Sequence, residues 1–456
     1  MSGPVPRALA ASVLAGLLVY VQPAGAHKTA RTTGTTGTTA APPVPAGPSV
    51  PAPLPVPGPL SVPLSVPGGP GARALAYVAE LHSDSVSVVD TRTNRVVGTV
   101  PVGDGPDSTA VAPDGSTVYV TDSGADTVSV IDAHRGEVVA TVPVGDEPSR
   151  VAVSPDGRRV YVANVASDDV SVIDARRNRV VATIEVGDAP LGLAFLPDGS
   201  RLYVANAGSD EVWVIGPRRH RVLGTVPVGE GPTALAVTPD GSRVYVSNLT
   251  SGDVSVVDTR RDEVVATVEV GDGPAGVAVL PDGRRVYVAN TVGDDVSVID
   301  TCRNEVTATV PVGEEPNGIA VTPDGSRVYV TEFADDEVSV IGTRRDRVVA
   351  TVAVGAGPTG VAITPAESGR PGWSARRPPL GGEPGGCPRP VGPRPWADSV
   401  RERTAFVGDP RPWTDRYGAA PLRPLPRRFV PTRPLRGVPR VPVPPQPVVD
   451  GPRPRS

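Results

Sequence analysis

Between residues 72 and 366 the chain runs in short stretches of Val, Ile and Tyr that alternate with polar residues and are cut by Gly, Pro, Asn and Asp. Alternation with a period of two marks half-buried strands, because successive side chains of a strand point to opposite faces. Residues 161–163, 170–173, 180–186 and 192–196 show it most plainly. Between them lie turn formers such as Asn164, Ser167, Asp168, Asn178, Gly187 and the Pro197-Asp198-Gly199 run. Four short strands joined by tight turns predict one antiparallel sheet.

That unit recurs. Tyr77, Tyr119, Tyr161, Tyr203, Tyr245, Tyr287 and Tyr329 stand 42 residues apart without an insertion or deletion, which makes seven units. Four strands in a repeat of this length are the mark of a propeller blade. A blade is apolar on both faces and must stack on neighbours, so seven units predict an all-β, seven-bladed β-propeller with four antiparallel strands per blade. The first unit lacks an innermost strand and the last carries a spare one, so residues 360–364 are expected to pair antiparallel with 74–79 and close the ring. Ala110, Ala152, Ala194, Ala236, Ala278, Ala320 and Ala362 share one register of the innermost strand, as expected where blades crowd the axis.

The segments Tyr-Val-Ala-Asn, Val-Ser-Val-Ile-Asp, Val-Val-Ala-Thr-Val-Pro-Val-Gly and Thr-Pro-Asp-Gly resemble the YVTN family of β-propeller repeats, in all seven units. The resemblance implies the fold. It implies little about activity, since similar propellers serve as surface-layer and adhesion modules, lyases, lactonases and electron-transfer subunits.

Composition separates the flanks from the repeats, because the 56 prolines crowd residues 41–70 and 371–456. Residues 1–26 read as a signal peptide, with Arg7, an apolar run too short to span a bilayer, and Ala24-Gly25-Ala26 as a cleavage site. Export to the cell envelope or the extracellular side follows as an expectation, with no membrane span after cleavage. Residues 27–71 read as a Thr/Gly and then Pro-rich linker, and 367–456 as a disordered Pro/Arg-rich tail. From residue 371 onward the tail holds 16 Arg against 6 acidic residues, and a frameshift origin is an open alternative. Cys302 in a predicted turn and Cys387 in the tail are too few for a disulfide framework; one bridge and two unrelated thiols both stay open.

Strand order also sorts the loops. One face collects Asp104, Asp146, Asp188, Glu230, Asp272 and Glu314 at a single loop position, broken only by Ala356, with Arg150 as its one clear cation. The other face holds most of the arginines, including Arg176, Arg177, Arg218 and Arg219. Such a field attracts cations or basic partners to the acidic mouth and repels nucleic acid from it. The alternative is that acidic loops merely keep a repeat protein soluble and monomeric. Calcium is the metal that carboxylates and turn carbonyls suit, though no dedicated calcium loop occurs. The basic tail is a further candidate partner for this face, beside a protein or a cell-wall polymer.

Departures from the repeat near the axis single out His82, Asp107, Arg150 and Asn317 as a candidate ligand site, against the plainer reading of an Asp107–Arg150 salt bridge. No nucleophile elbow, phosphate loop or His cluster accompanies them, so no catalytic residue and no cofactor are assigned. The chain is expected to be a non-catalytic binding scaffold. A secreted lyase or lactonase with its site at the axial mouth is the alternative.

Overall fold

The computed structural model describes residues 74–365. The expected signal peptide, linker and tail lie outside the described residues. Twenty-eight strands form seven four-stranded antiparallel sheets. Each blade is numbered here by its tyrosine, from Tyr77 in blade 1 to Tyr329 in blade 7. Blade 3 runs outward from the axis through Pro148–Val153, Arg159–Asn164, Asp169–Asp174 and Arg179–Glu185.

The second and third strands of each blade are buried on both faces by the neighbouring blades. The seven tyrosines are at most 2% exposed, and the Val and Ile residues around them pack blade against blade. Each tyrosine lies directly opposite one of the register alanines, Tyr161 against Ala152 and Tyr329 against Ala320. The small side chain is therefore required by the bulky ring across the strand pair as much as by the axis. Crowding at the axis falls instead two residues earlier. A Cβ added at Gly276 or Gly318 would stand 2.2 Å from the backbone oxygen of Asn317 or Thr359 in the next blade. The outer strand carries a bulge in every blade, and the extra residue is pushed into solvent, leaving Val139, Leu223 and Val349 about half exposed.

The ring closes as the repeat frame requires. Pro358–Ile363 pairs antiparallel with Leu75–Glu80, with Ala76 opposite Ile363, Tyr77 opposite Ala362 and Val78 opposite Val361. Thr364 secures the end of this pairing: its N–H donates to the Leu75 carbonyl at 2.8 Å and its Oγ1 accepts the Leu75 N–H at 2.8 Å. Cys302, in the turn before the outer strand of blade 6, is disulfide-bonded, which withdraws the reading of two unrelated thiols. Cys387, the chain's other cysteine, lies outside the described residues.

Candidate functional site

The loops that join second to third strands and those that enter each innermost strand meet on one side of the disc, the front. Their contact is direct: Ser123 donates its N–H to the Gly105 carbonyl at 2.9 Å. At the front, Asp84, Asp126, Asp168, Asp210, Asp294 and Asp336 all have positive φ, between 49° and 57°. Asp tolerates this left-handed backbone better than most residues. Each carboxylate then accepts a backbone N–H 21 residues further on, from Glu147 to Asp126 and from Ala189 to Asp168 at 2.8 Å in both cases. These acids staple one loop to the next.

The ring Asp104, Asp146, Asp188, Glu230, Asp272 and Glu314 is different. All six side chains are exposed. The backbone N–H groups of Asp146, Asp188, Glu230 and Glu314 are held by neighbouring side-chain oxygens, as when Ser251 accepts from Glu230 at 3.2 Å. Among the described residues no group of three or more His, Cys, Asp or Glu is placed to hold a metal ion.

Beneath the ring, each second strand ends in a buried polar residue. Four are asparagines, and the amides of Asn164, Asn248 and Asn290 donate to Asp169, Asp253 and Asp295 at 2.6 Å. In the three adjacent blades 7, 1 and 2 the residue is an acid. Glu332, Glu80 and Asp122 accept the N–H of Gly313, Gly355 and Gly103 respectively. Burial raises the pKa of Asp122 and Glu332, against hydrogen bonds from Ser129 and Ser339 respectively that lower it.

The four axial candidates do not gather into one site. Asp107 and Arg150 are brought together: burial raises the Asp107 pKa and the Arg150 charge opposes it. No ion pair within the salt-bridge distance joins them among the described residues, so the plainer reading of a direct bridge is not met. Arg150 occupies the register filled by Gly192, Gly276, Gly318 and Gly360 in other blades and lines an axial cavity of about 160 Å³ with Ser108 and Thr109. His82 sits at the rim instead, its ring 5.3 Å from that of Phe333 in an edge-on contact. Asn317 is half-buried beside the axis, and only its neighbours Gly318 and Ile319 line the cavity.

The family described as YNCE-like beta-propeller matches residues 118–201 and 268–367. The match and the seven closed blades fit a YVTN-type β-propeller repeat protein. No curated protein matches it. Among solved structures, hydrazine synthase of Kuenenia stuttgartiensis is similar with 26% identity and a TM-score of 0.53, covering 56% of this chain and 88% of that one. A functionally unknown protein of Desulfotomaculum acetoxidans gives 19% identity and a TM-score of 0.59, covering 64% of this chain and 99% of that one. A candidate 6-phosphogluconolactonase of Bacteroides uniformis gives 18% identity and a TM-score of 0.57, covering 64% and 100%. The last two show the fold alone.

The back of this propeller is built on ion pairs. Arg201 and the Tyr203 hydroxyl of blade 4 reach across to Asp262 of blade 5 at 2.7 and 3.0 Å. Arg285 and Tyr287 do the same to Asp346, while Arg243 with Tyr245 and Arg327 with Tyr329 clasp Asn304 and Asn94. Sequence reasoning missed this clasp and the one junction where it fails with its arginine present, at His220. The signal was available, since His220 breaks a column of Asn, Asp and Gly.

Proposed function

We propose that this propeller is an exported, non-catalytic binding scaffold whose acidic front engages a basic partner, a cationic protein segment or surface. One observation carries the reading: every ion pair between described residues lies on the back of the disc. The six ring carboxylates have no basic side chain among the described residues to neutralise them, so their field extends into solvent and draws cations. The staples beneath them hold the loops in place, so little ordering entropy is lost when a partner binds. Export rests on the signal sequence alone.

The enzymatic alternative draws on Asp107 and Arg150 and on the likeness to the candidate lactonase. The axial cavity, at about 160 Å³, is smaller than a typical small-molecule site of roughly 300–1,000 Å³, and His82 stands outside it. The binding reading is tested by titrating the full chain with polylysine. Affinity is expected to fall at least about tenfold between about 0.05 and about 0.3 M salt. It should fall as far in a variant with all six ring acids made amides. Equal affinity of that variant and the native chain overturns the reading.

A further inference from the structure

Between blades 3 and 4, on the back, lies a cavity of about 1050 Å³, far larger than the one on the axis. Its origin is a single broken clasp. At the next four junctions an arginine two residues before the blade tyrosine joins the tyrosine hydroxyl in gripping an Asp or Asn of the following blade. Here the gripped position is His220. Burial, and then the Arg159 charge, lower its pKa, so the imidazole is neutral at pH 7 and offers no carboxylate. Arg159 turns back to Asp174 of its own blade, and the Tyr161 hydroxyl donates to the Pro217 carbonyl at 3.3 Å. The space the clasp would fill stays open.

The walls are basic. Arg158, Arg159, Arg176, Arg177 and Arg218 line the cavity against three carboxylates, Asp156, Asp174 and Asp198. Arg159 and Arg177 share Asp174, and Arg158 lies 3.9 Å from Asp156. Arg176 and Arg218 are exposed and form no ion pair with a described residue. Blades elsewhere use valine or isoleucine at the end of the innermost strand, but blade 4 places Phe195 there. Phe195 meets the Tyr161 ring edge-on at 5.1 Å, and His220 meets it from another side at 6.5 Å. An aromatic floor beneath unspent guanidinium groups suits a ring that bears a phosphate, because the fork of an arginine matches phosphate oxygens and the ring packs on the floor.

We propose that the cleft between blades 3 and 4 binds an organic phosphate built on a ring, a sugar phosphate or a nucleotide. The cleft is independent of the acidic front, so either assignment can fail without the other. The test is calorimetric titration of the full chain with four probes: glucose 6-phosphate, AMP, inorganic pyrophosphate and uncharged adenosine. At least one of the first two should bind more tightly than pyrophosphate and adenosine, and which one does so separates the sugar from the nucleotide source. Arg176→Gln with Arg218→Gln should weaken that binding at least tenfold. His220→Asp restores the acceptor, draws Arg159 across and closes the cleft, so it should abolish binding with no fall in Tm. Phe195→Val, which restores the residue of the other blades, should weaken binding in a protein that folds as before. The proposal is overturned if neither ring phosphate binds at about 1 mM, if pyrophosphate binds as tightly, or if the Phe195 and arginine variants bind like the native chain.

Discussion

On the front of the disc Asp107, Asp122, Glu147, Asp169 and Glu332 all have raised carboxyl pKa values. On the back Asp114, Asp156, Asp174, Asp198, Asp240 and Asp324 are all lowered. Burial is the largest influence at the front, where few cations oppose it. At the back the main influence is a donor, such as Ser116 for Asp114, Ser154 for Asp156, Arg159 for Asp174 and Thr322 for Asp324. At Asp240 burial is the largest single influence, but Thr238 and Ser242 together outweigh it. One residue type therefore does opposite work on the two faces. Back acids are ionised to hold turns and blades together, and front acids are held in spite of their charge. The front also keeps six exposed ring acids with no ion-pair partner among the described residues, and these are the charges whose field it can offer outside.

The largest effect is expected from removing what keeps both faces on one rigid ring. Deleting residues 358–363 takes away the innermost strand of blade 1, leaving Leu75–Glu80 paired on one side only. Calorimetry should then show no single cooperative transition. A truncated chain that melts as sharply as the intact one would mean the blades hold without closure.

Next comes the back itself. Asp346→Ala removes the carboxylate that Arg285 and Tyr287 share; Arg285 keeps the Thr343 carbonyl, but the largely buried phenol is left unsatisfied. Burial comes first among the causes that push that phenol's pKa above its ordinary value, followed by Asp346 itself. The cost is about 2 kcal/mol, read as a fall in Tm of about 4 °C. The matched change at the open junction, His220→Asp, should not lower Tm. If Asp346→Ala melts like the native chain, the back is not held by its clasps.

The blades, the closure and the sorting of loops onto two faces were legible because they depend on periodicity, and a 42-residue period leaves no freedom in register. What the acids do was not legible. Asp168 reads as one more front charge until two loops meet and its carboxylate finds the Ala189 N–H. Asp122 and Glu332 read as variants of an Asn column, and only their burial shows that a carboxylate has replaced an amide under the front. Arg150 was found as a departure, but its place among axial glycines depends on how closely neighbouring innermost strands approach. His220 breaks a column of Asn, Asp and Gly, but that the break removes a clasp shows only when neighbouring blades meet.

The opposed pKa directions make a smaller, sharper contrast. A carboxyl whose folded pKa is raised stabilises the fold most when protonated, and that contribution is lost as pH rises through the raised value. A lowered one contributes above the ordinary carboxylate range and is lost as pH falls through its folded value. Asp122→Asn installs the residue of four other blades and removes the buried charge, so it should raise Tm by about 2 °C at pH 7 and by less at pH 4. Asp156→Asn on the back keeps an oxygen for Ser154 and the Arg158 N–H but removes the charge that those donors favour, so it should lower Tm at pH 7 and have less effect at pH 4. Melting curves at the two pH values check both. The same sign for both variants would mean the faces do not differ in how they carry charge.

The smallest expected effect bears most directly on function. Asp272 is exposed, and its neighbourhood is secured by backbone bonds: the Val292 and Gly293 N–H groups both donate to the Asp272 carbonyl at 3.1 Å, a contact that survives substitution. Asp272→Asn should therefore change stability by less than about 0.5 kcal/mol, while lowering polylysine affinity at low salt and not at high salt. A clear loss of Tm would place Asp272 with the stapling acids of the same face. It would also reduce the outward-facing ring to five, and a reduced ring would bind polylysine more weakly even when fully folded.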